Sequence, residues 1–175
     1  MKNDQIYPNG HYNYHKDLTK KDFLDIIEQI EQIPLQLKLA VSGLNEKQID
    51  TPYREGGWTI RQVVHHLADT QYNSFLRIKI ALTENKPVIE YYSVDRWAEL
   101  SDSGESPIDL SIMIVEGTHL RWADLLRSLT KEQLKRTFRH SDKGEIAIDK
   151  AVGIYAWHGH HHIAQINKLR ERMGW

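Results

Sequence analysis

The stretch Ile148–Met173, IDKAVGIYAWHGHHHIAQINKLRERM, decides how this chain folds. At about 100° per residue, Ala151, Ile154, Tyr155, His158, His162, Gln165 and Leu169 share one face of a helix. Gly174 supplies its stop signal. His158 and His162 are four residues apart, so their rings project together, one turn above the other. Two imidazoles at that spacing can chelate one metal ion. His161 lies at the edge of the same face and is a rival ligand, whereas His160 points the other way and is expected in solvent. A histidine run can be a purification tag, but tags sit at termini; this one lies inside an apolar helical pattern and belongs to the fold. The bland alternative is that these histidines merely sit between core and surface.

The rest of the chain supplies helices for that face to pack against. From Lys20 to Ser42, Phe23, Ile26, Ile27, Ile30, Ile33, Leu37 and Val41 recur at helical spacing. Pro34 should kink or restart that helix, and Gly43 ends it. Asn45–Asp50 reads as a short capped turn. Thr59 with Gln62 forms a capping box, with Trp58 and Val63 as its staple. The helix that follows runs to about Thr83. Residues 84–105, with Pro87, Gly104 and several serines, read as a long crossing connection anchored by Trp97. Ser106-Pro107 starts a third helix, which runs to about Ser128. Thr130 with Gln133 repeats the capping box for a short helix. Ser141-Asp142-Lys143-Gly144 reads as a turn or small hairpin. Residues 1–19 read as an irregular arm with a turn at Pro8-Asn9-Gly10. The pattern predicts one all-α domain over residues 1–175, a four-helix bundle with a non-simple topology and a long connection between its second and third helices.

Composition narrows the chemistry. The chain has 175 residues and no cysteine. That excludes disulfides, a thiolate nucleophile and sulfur ligands, so a metal site must use histidine nitrogen and carboxylate oxygen. The balance of 23 basic and 24 acidic residues argues against a nucleic-acid partner. No apolar run is long enough to span a membrane, and the first 20 residues hold no signal-peptide core. A cytoplasmic protein is the expectation.

Two ligands on one helix do not make a tight site, since catalytic zinc takes three protein ligands and keeps one position open. His65 and His66 lie on the second helix and His119 on the third. Spacing ranks His66 and His119 about equally. The stretch from Gly56 to Asp69, GGWTIRQVVHHLAD, resembles a motif of the DinB-like superfamily, as does Tyr155–Ile166, YAWHGHHHIAQI. The stretches Asp50–Arg54 and Arg172–Trp175 are similar to the YfiT branch of that superfamily, the metal-dependent hydrolases that resemble bacillithiol transferases. The resemblance implies a four-helix bundle with unusual connections and a homodimer. It places the metal ligands at His66, His158 and His162, holding one divalent transition metal per subunit, zinc or nickel.

Three neutral imidazoles leave the ion its full double charge, which brings a bound water to a pKa of about 7. The expected activity is therefore hydrolysis of a small molecule, with Asp69, one turn beyond His66, or Glu116 as general base. Either carboxylate could instead be solvated, and Asp69 could instead orient a ligand ring. A second reading is transfer of a low-molecular-weight thiol to an electrophile, with Arg61 and Arg121 as candidates to hold the thiol's carboxylates. A third is a non-catalytic metal-binding protein, which a fourth protein ligand such as His161 or His119 would favour. Trp58, Trp97, Trp122, Trp157 and Tyr155 read first as core residues.

Overall fold

Four helix starts are written in the same chemistry. Thr19, Asn45, Thr59 and Thr130 each accept a hydrogen bond from the backbone N–H three residues on, and each receives a side chain in return from Asp22, Gln48, Gln62 or Gln133. Each box satisfies two orphan donors at a helix end. In the computed structural model, which describes residues 5–13 and 18–175, the elements are α1 (Lys20–Val41), α2 (Glu46–Ile49), α3 (Ile60–Thr83), β1 (Val88–Ile89), α4 (Val94–Ala98) and α5 (Ser101–Glu105), followed by α6 (Ile108–Arg127), α7 (Lys131–Leu134), β2 (Thr137–His140), β3 (Gly144–Ala147) and α8 (Ile148–Met173). Gly174 closes α8 in the left-handed conformation with φ of 71°.

The long helices α1, α3, α6 and α8 form a four-helix bundle. Side-chain pairs fix their directions. α6 runs against α1, because Lys38 meets Glu116 and Arg127 meets Glu31. α8 runs with α1, because His160 meets Gln36 and Arg170 meets the carbonyls of Leu39, Ala40 and Ser42. α3 runs with α6, because His65 meets Ser111 and Phe75 meets Trp122. Around the bundle the order is therefore α1, α6, α3, α8, so α1 lies diagonal to α3, and α6 diagonal to α8. Parallel α3 and α6 need a return path along the bundle, and residues 84–107 provide it. That is the non-simple topology expected.

The core is two apolar clusters with a polar waist between them. One end gathers Leu37, Val64, Leu67, Ile112, Val115 and Ile166; the other gathers Ile27, Ile30, Phe75, Trp122, Phe138 and Ile148. Burying each large apolar side chain contributes roughly 1.5–3 kcal/mol. At the waist, α3 places Gln71 and Ser74, α6 places Thr118 and His119, and α8 places His158 and His162. Gly159 lets α8 approach α1 there, since a Cβ would collide with Ile33 Cδ1.

Several expectations need correcting. α1 runs unbroken through Pro34. The connection 84–105 is structured by β1, α4 and α5, and Trp97 is exposed against Tyr92 while Ala98 and Ser103 are its buried residues. Ser106 makes no side-chain cap; Pro107 is the N-cap of α6. The hairpin β2–β3 is real, and β1 adds parallel to β2 to give a three-stranded sheet. In the N-terminal arm, residues 5 and 6 are helical, and Gly10 N–H donates to the Tyr7 carbonyl to close the predicted turn. Residues 1–4 and 14–17 of the expected arm lie outside the described residues. No helix among the described residues is long and apolar enough to cross a membrane.

Candidate metal centre

His66 from α3 and His158 and His162 from α8 bring their ring nitrogens together at the waist. His158 Nε2 lies 3.4 Å from His66 Nε2 and 3.1 Å from His162 Nε2. All three ligand atoms fall within 4.8 Å of one another. A tetrahedral ion with metal–nitrogen bonds of 2.0–2.1 Å sets its nitrogens about 3.3 Å apart. The donor set therefore fits one small divalent cation. The i, i+4 spacing on α8 supplies two corners, and the antiparallel pass of α3 supplies the third.

The groups around the rings favour the ligating state. His162 Nδ1–H donates to Gln165 Oε1 at 2.9 Å, which leaves the Nε2 lone pair facing its neighbours. Gln165 Nε2 in turn donates to the Ile6 carbonyl and to His161 Nε2, each at 3.0 Å. His161 Nδ1–H donates to Asn9 Oδ1 at 3.0 Å. The N-terminal arm is thus wired to a ligand ring through Gln165. The Thr70 hydroxyl lies 3.3 Å from His66 Nδ1 and 3.3 Å from the Tyr92 hydroxyl. His158 Nδ1 is buried with no hydrogen-bond partner among the described residues. Trp58 walls the centre, its ring 4.7 Å from that of His66 and 6.4 Å from that of His162. Burial, then the neighbouring imidazoles, holds all three ligands well below the ordinary histidine value. Each is neutral at neutral pH, as ligation requires.

The rival histidines have other partners. His65 Nε2–H donates to the Ser106 carbonyl and its Nδ1 accepts from Ser111, so it ties α3 to the start of α6. His161 spends both nitrogens on Asn9 and Gln165. His160 is not free in solvent as expected: it packs on α1, against Gln36 Oε1 and the Gln29 carbonyl. His119 Nδ1–H donates to the Ile30 carbonyl at 2.7 Å. Pro34 has no N–H, so it cannot satisfy the carbonyl four residues before it. His119 repairs that gap in α1 and is no ligand.

The candidate bases and cations separate as well. Asp69 is half-buried, and burial followed by Asp102 raises its carboxyl to about 6. Its carboxyl touches no ligand ring; Thr70 takes that place beside His66. Glu116 does not face the interior: it pairs with Lys38 at 2.8 Å on the surface between α1 and α6. Arg61 is buried and committed to Asp50, Glu46 and the Ser106 carbonyl. Arg121 sits outside, over the Phe75 ring. Trp122 is core, and Trp157 stacks on His161. Gln165 was on the ligand face by spacing alone; its i, i+3 relation to His162 was the signal of its role.

Residues 29–166 match the family model of the DinB superfamily. A Bacillus cereus (strain AH820) protein named "Putative metal-dependent hydrolase" is 48% identical over 173 residues, covering 99% of each chain. A Bacillus anthracis relative with the same name is also 48% identical over the same length. Among solved structures, YfiT from Bacillus subtilis, described as "a probable metal-dependent hydrolase with an unusual four-helix bundle topology", superposes with a TM-score of 0.96 at 46% identity over 98% of this chain and 99% of that one. TT2238, a four-helix bundle protein, is similar in fold alone, with a TM-score of 0.55 at 17% identity over 81% of this chain and 94% of that one.

Proposed function

The chain belongs to the DinB superfamily, and on that premise we propose that it is a metal-dependent hydrolase of a small molecule, acting through His66, His158 and His162. One observation carries the reading: three Nε2 atoms converge, and no fourth histidine or carboxylate among the described residues joins them. A structural zinc site closes with four protein ligands, whereas a catalytic one uses three and keeps a position for water or substrate. His161 and His119, the residues that could have closed this one, are bonded elsewhere.

A divalent ion held there supplies a Lewis acid and makes water acidic enough to ionise near neutral pH. Imidazole donors suit both zinc and nickel, the two metals we propose. The chain's own contributions are distinct. Gln165 holds the His162 tautomer. Trp58 shields one side from solvent. Asp69 is the proposed general base, since a carboxyl that titrates near 6 matches proton transfer at neutral pH. Its position three residues after His66 keeps it on the Tyr92 side of α3.

The test is to purify the protein, measure its metal, and assay esters and amides alongside thiol-plus-electrophile pairs. Metal-dependent cleavage without thiol supports hydrolysis. Loss of the electrophile only when thiol is present would assign thiol transfer, and bound metal with neither activity would leave a non-catalytic site. A homodimer is proposed with the hydrolase, to be checked by sedimentation at twice the monomer mass.

A further inference from the structure

The ligand face continues past the metal centre. On α3 the stripe His66, Thr70, Asn73, Arg77 follows helical spacing away from the ligands. On α8, Tyr155 lies one turn before His158. The hairpin brings His140 and Lys143 to the same end, and the field of Lys143 reaches His158. Between them is a cavity of about 40 Å³, lined by Arg77, His140, Lys143 and Tyr155 with Ile146 and Ile154 as apolar walls.

Arg77 is the unusual member. Every other buried or half-buried arginine among the described residues donates to a carboxylate or a carbonyl: Arg54, Arg61, Arg136 and Arg170. Arg77 has neither. Its guanidinium lies 5.8 Å from the Tyr92 ring centre and against the Tyr155 hydroxyl. Lys143 forms no ion pair among the described residues, and both cations act on the buried His140 between them. Two acidic groups also act here: Asp142 favours the charged form of His140 and Asp69 opposes ionisation of Tyr92, but neither forms an ion pair with Arg77 or Lys143 among the described residues. Two like charges beside one cavity, one of them half out of water, leave an electrostatic deficit that an anion would fill.

We propose that this cavity is an anion-binding subsite, with Arg77 as its fork and Lys143 at its mouth, and that it takes a carboxylate group of the substrate. A guanidinium meets a planar carboxylate through two parallel hydrogen bonds. On the same measure one water needs only about 10–15 Å³, so the cavity has room for a small anionic group. The contacts Arg77–Tyr92–Thr70–His66 run along three turns of α3 from the subsite to the ligands, so in this proposal a substrate held there by its carboxylate extends along that face toward the metal. The role in choosing a substrate rests on the hydrolase reading; the anion site itself does not.

The experiment titrates the zinc-loaded protein with acetate and follows the arginine side-chain Nε–H signals by NMR. The Arg77 signal should shift saturably. Arg77→Gln should weaken acetate binding about tenfold or more while zinc stoichiometry stays the same. Lys143→Gln, on an exposed turn that carries no packing, should weaken it by a smaller factor and keeps the question answerable if Arg77→Gln misfolds. Acetate that perturbs only the ligand histidines, or binds Arg77→Gln and Lys143→Gln as tightly as wild type, overturns the subsite. Phosphate that binds at Arg77 more tightly than acetate overturns the carboxylate assignment. Acetate binding that follows Arg77 in a protein that cleaves no ester supports the subsite and counts against the hydrolase reading alone.

Discussion

At the residue scale, single hydrogen bonds decide what each histidine can do. His162 presents its Nε2 lone pair to its neighbours because its Nδ1–H donates to Gln165 Oε1. His162→Ala should abolish stoichiometric metal binding; full metal content in the purified variant would remove His162 from the site. Gln165→Leu should lower metal affinity about 10- to 100-fold with helical content unchanged, as other losses of a ligand's hydrogen-bond partner do. Gln165→Glu keeps an acceptor and should recover most of it, so a competition titration with a chromophoric chelator separates orientation from packing. His119 has the opposite fate. Burial lowers its value to about 4, against 6.5 for an ordinary histidine. The unfolded chain therefore binds this proton between those two values and the folded one does not. The stability it contributes is fully present above about pH 6.5 and falls by up to ~3 kcal/mol as pH drops toward 4. In metal-free protein, urea unfolding at pH 7 and at pH 4.5 should show a smaller difference for His119→Gln than for wild type. Equal differences would mean that His119 is not the group that titrates.

At the element scale, α1 shows how a helix passes a proline. Pro34 removes the donor for the Ile30 carbonyl, and His119 on the neighbouring helix replaces it at 2.7 Å. A double-mutant cycle tests this. His119→Leu alone should cost about 1–3 kcal/mol by leaving a buried carbonyl bare. In a Pro34→Ala background, where the helix supplies its own N–H, the same change should cost about 1 kcal/mol less. Strict additivity in urea titrations would refute the repair. The case also marks where the sequence stops being legible. Lone prolines predict a break because the donor that rescues them lies 89 residues away. Helix starts were readable because Thr59–Gln62 and Thr130–Gln133 complete their chemistry within four residues. The strands were not, beyond the turn at Ser141–Gly144 that reads as a small hairpin. Val88-Ile89 is two residues long and pairs with Arg139-His140, and β2 and β3 are too short to display an alternation. His158 and His162 could be read from i, i+4 spacing. His66, His65 and His119 could not be separated by spacing, because the choice depends on which carbonyl or hydroxyl each ring meets across the bundle. His160 was misplaced for the same reason: the rotation angle that sent it outward ignored α1 beside it.

At the scale of the whole molecule, the bundle is two apolar ends joined by a waist that hydrophobic burial holds only weakly. The waist carries Gln71, His119, His158 and His162, and it leaves Gln71 Oε1 and His158 Nδ1 without partners among the described residues. Polar groups buried this way cost stability that a well-packed core would not. A metal shared by His66 and the α8 pair would join α3 to α8 at that weak point, across residues separated by 92 and 96 positions in sequence. An ion that binds the folded state and not the unfolded chain stabilises it by about 2.7 kcal/mol at a free concentration 100 times its dissociation constant. For a chain of this length, each kcal/mol moves the melting temperature by roughly 2–4 °C. Zinc or nickel at that excess should therefore raise the melting temperature by about 5–10 °C over chelator-treated protein, and the increment should grow with the logarithm of metal concentration. His162→Ala should melt at the same temperature with and without metal. The arm belongs to the same unit, since Ile6 and Asn9 hold Gln165 and His161. Removing residues 1–13 should leave the helical circular dichroism intact while reducing the metal-dependent increment. An increment that survives His162→Ala unchanged would place the stabilising ion elsewhere, and the waist would then have to be held by packing alone.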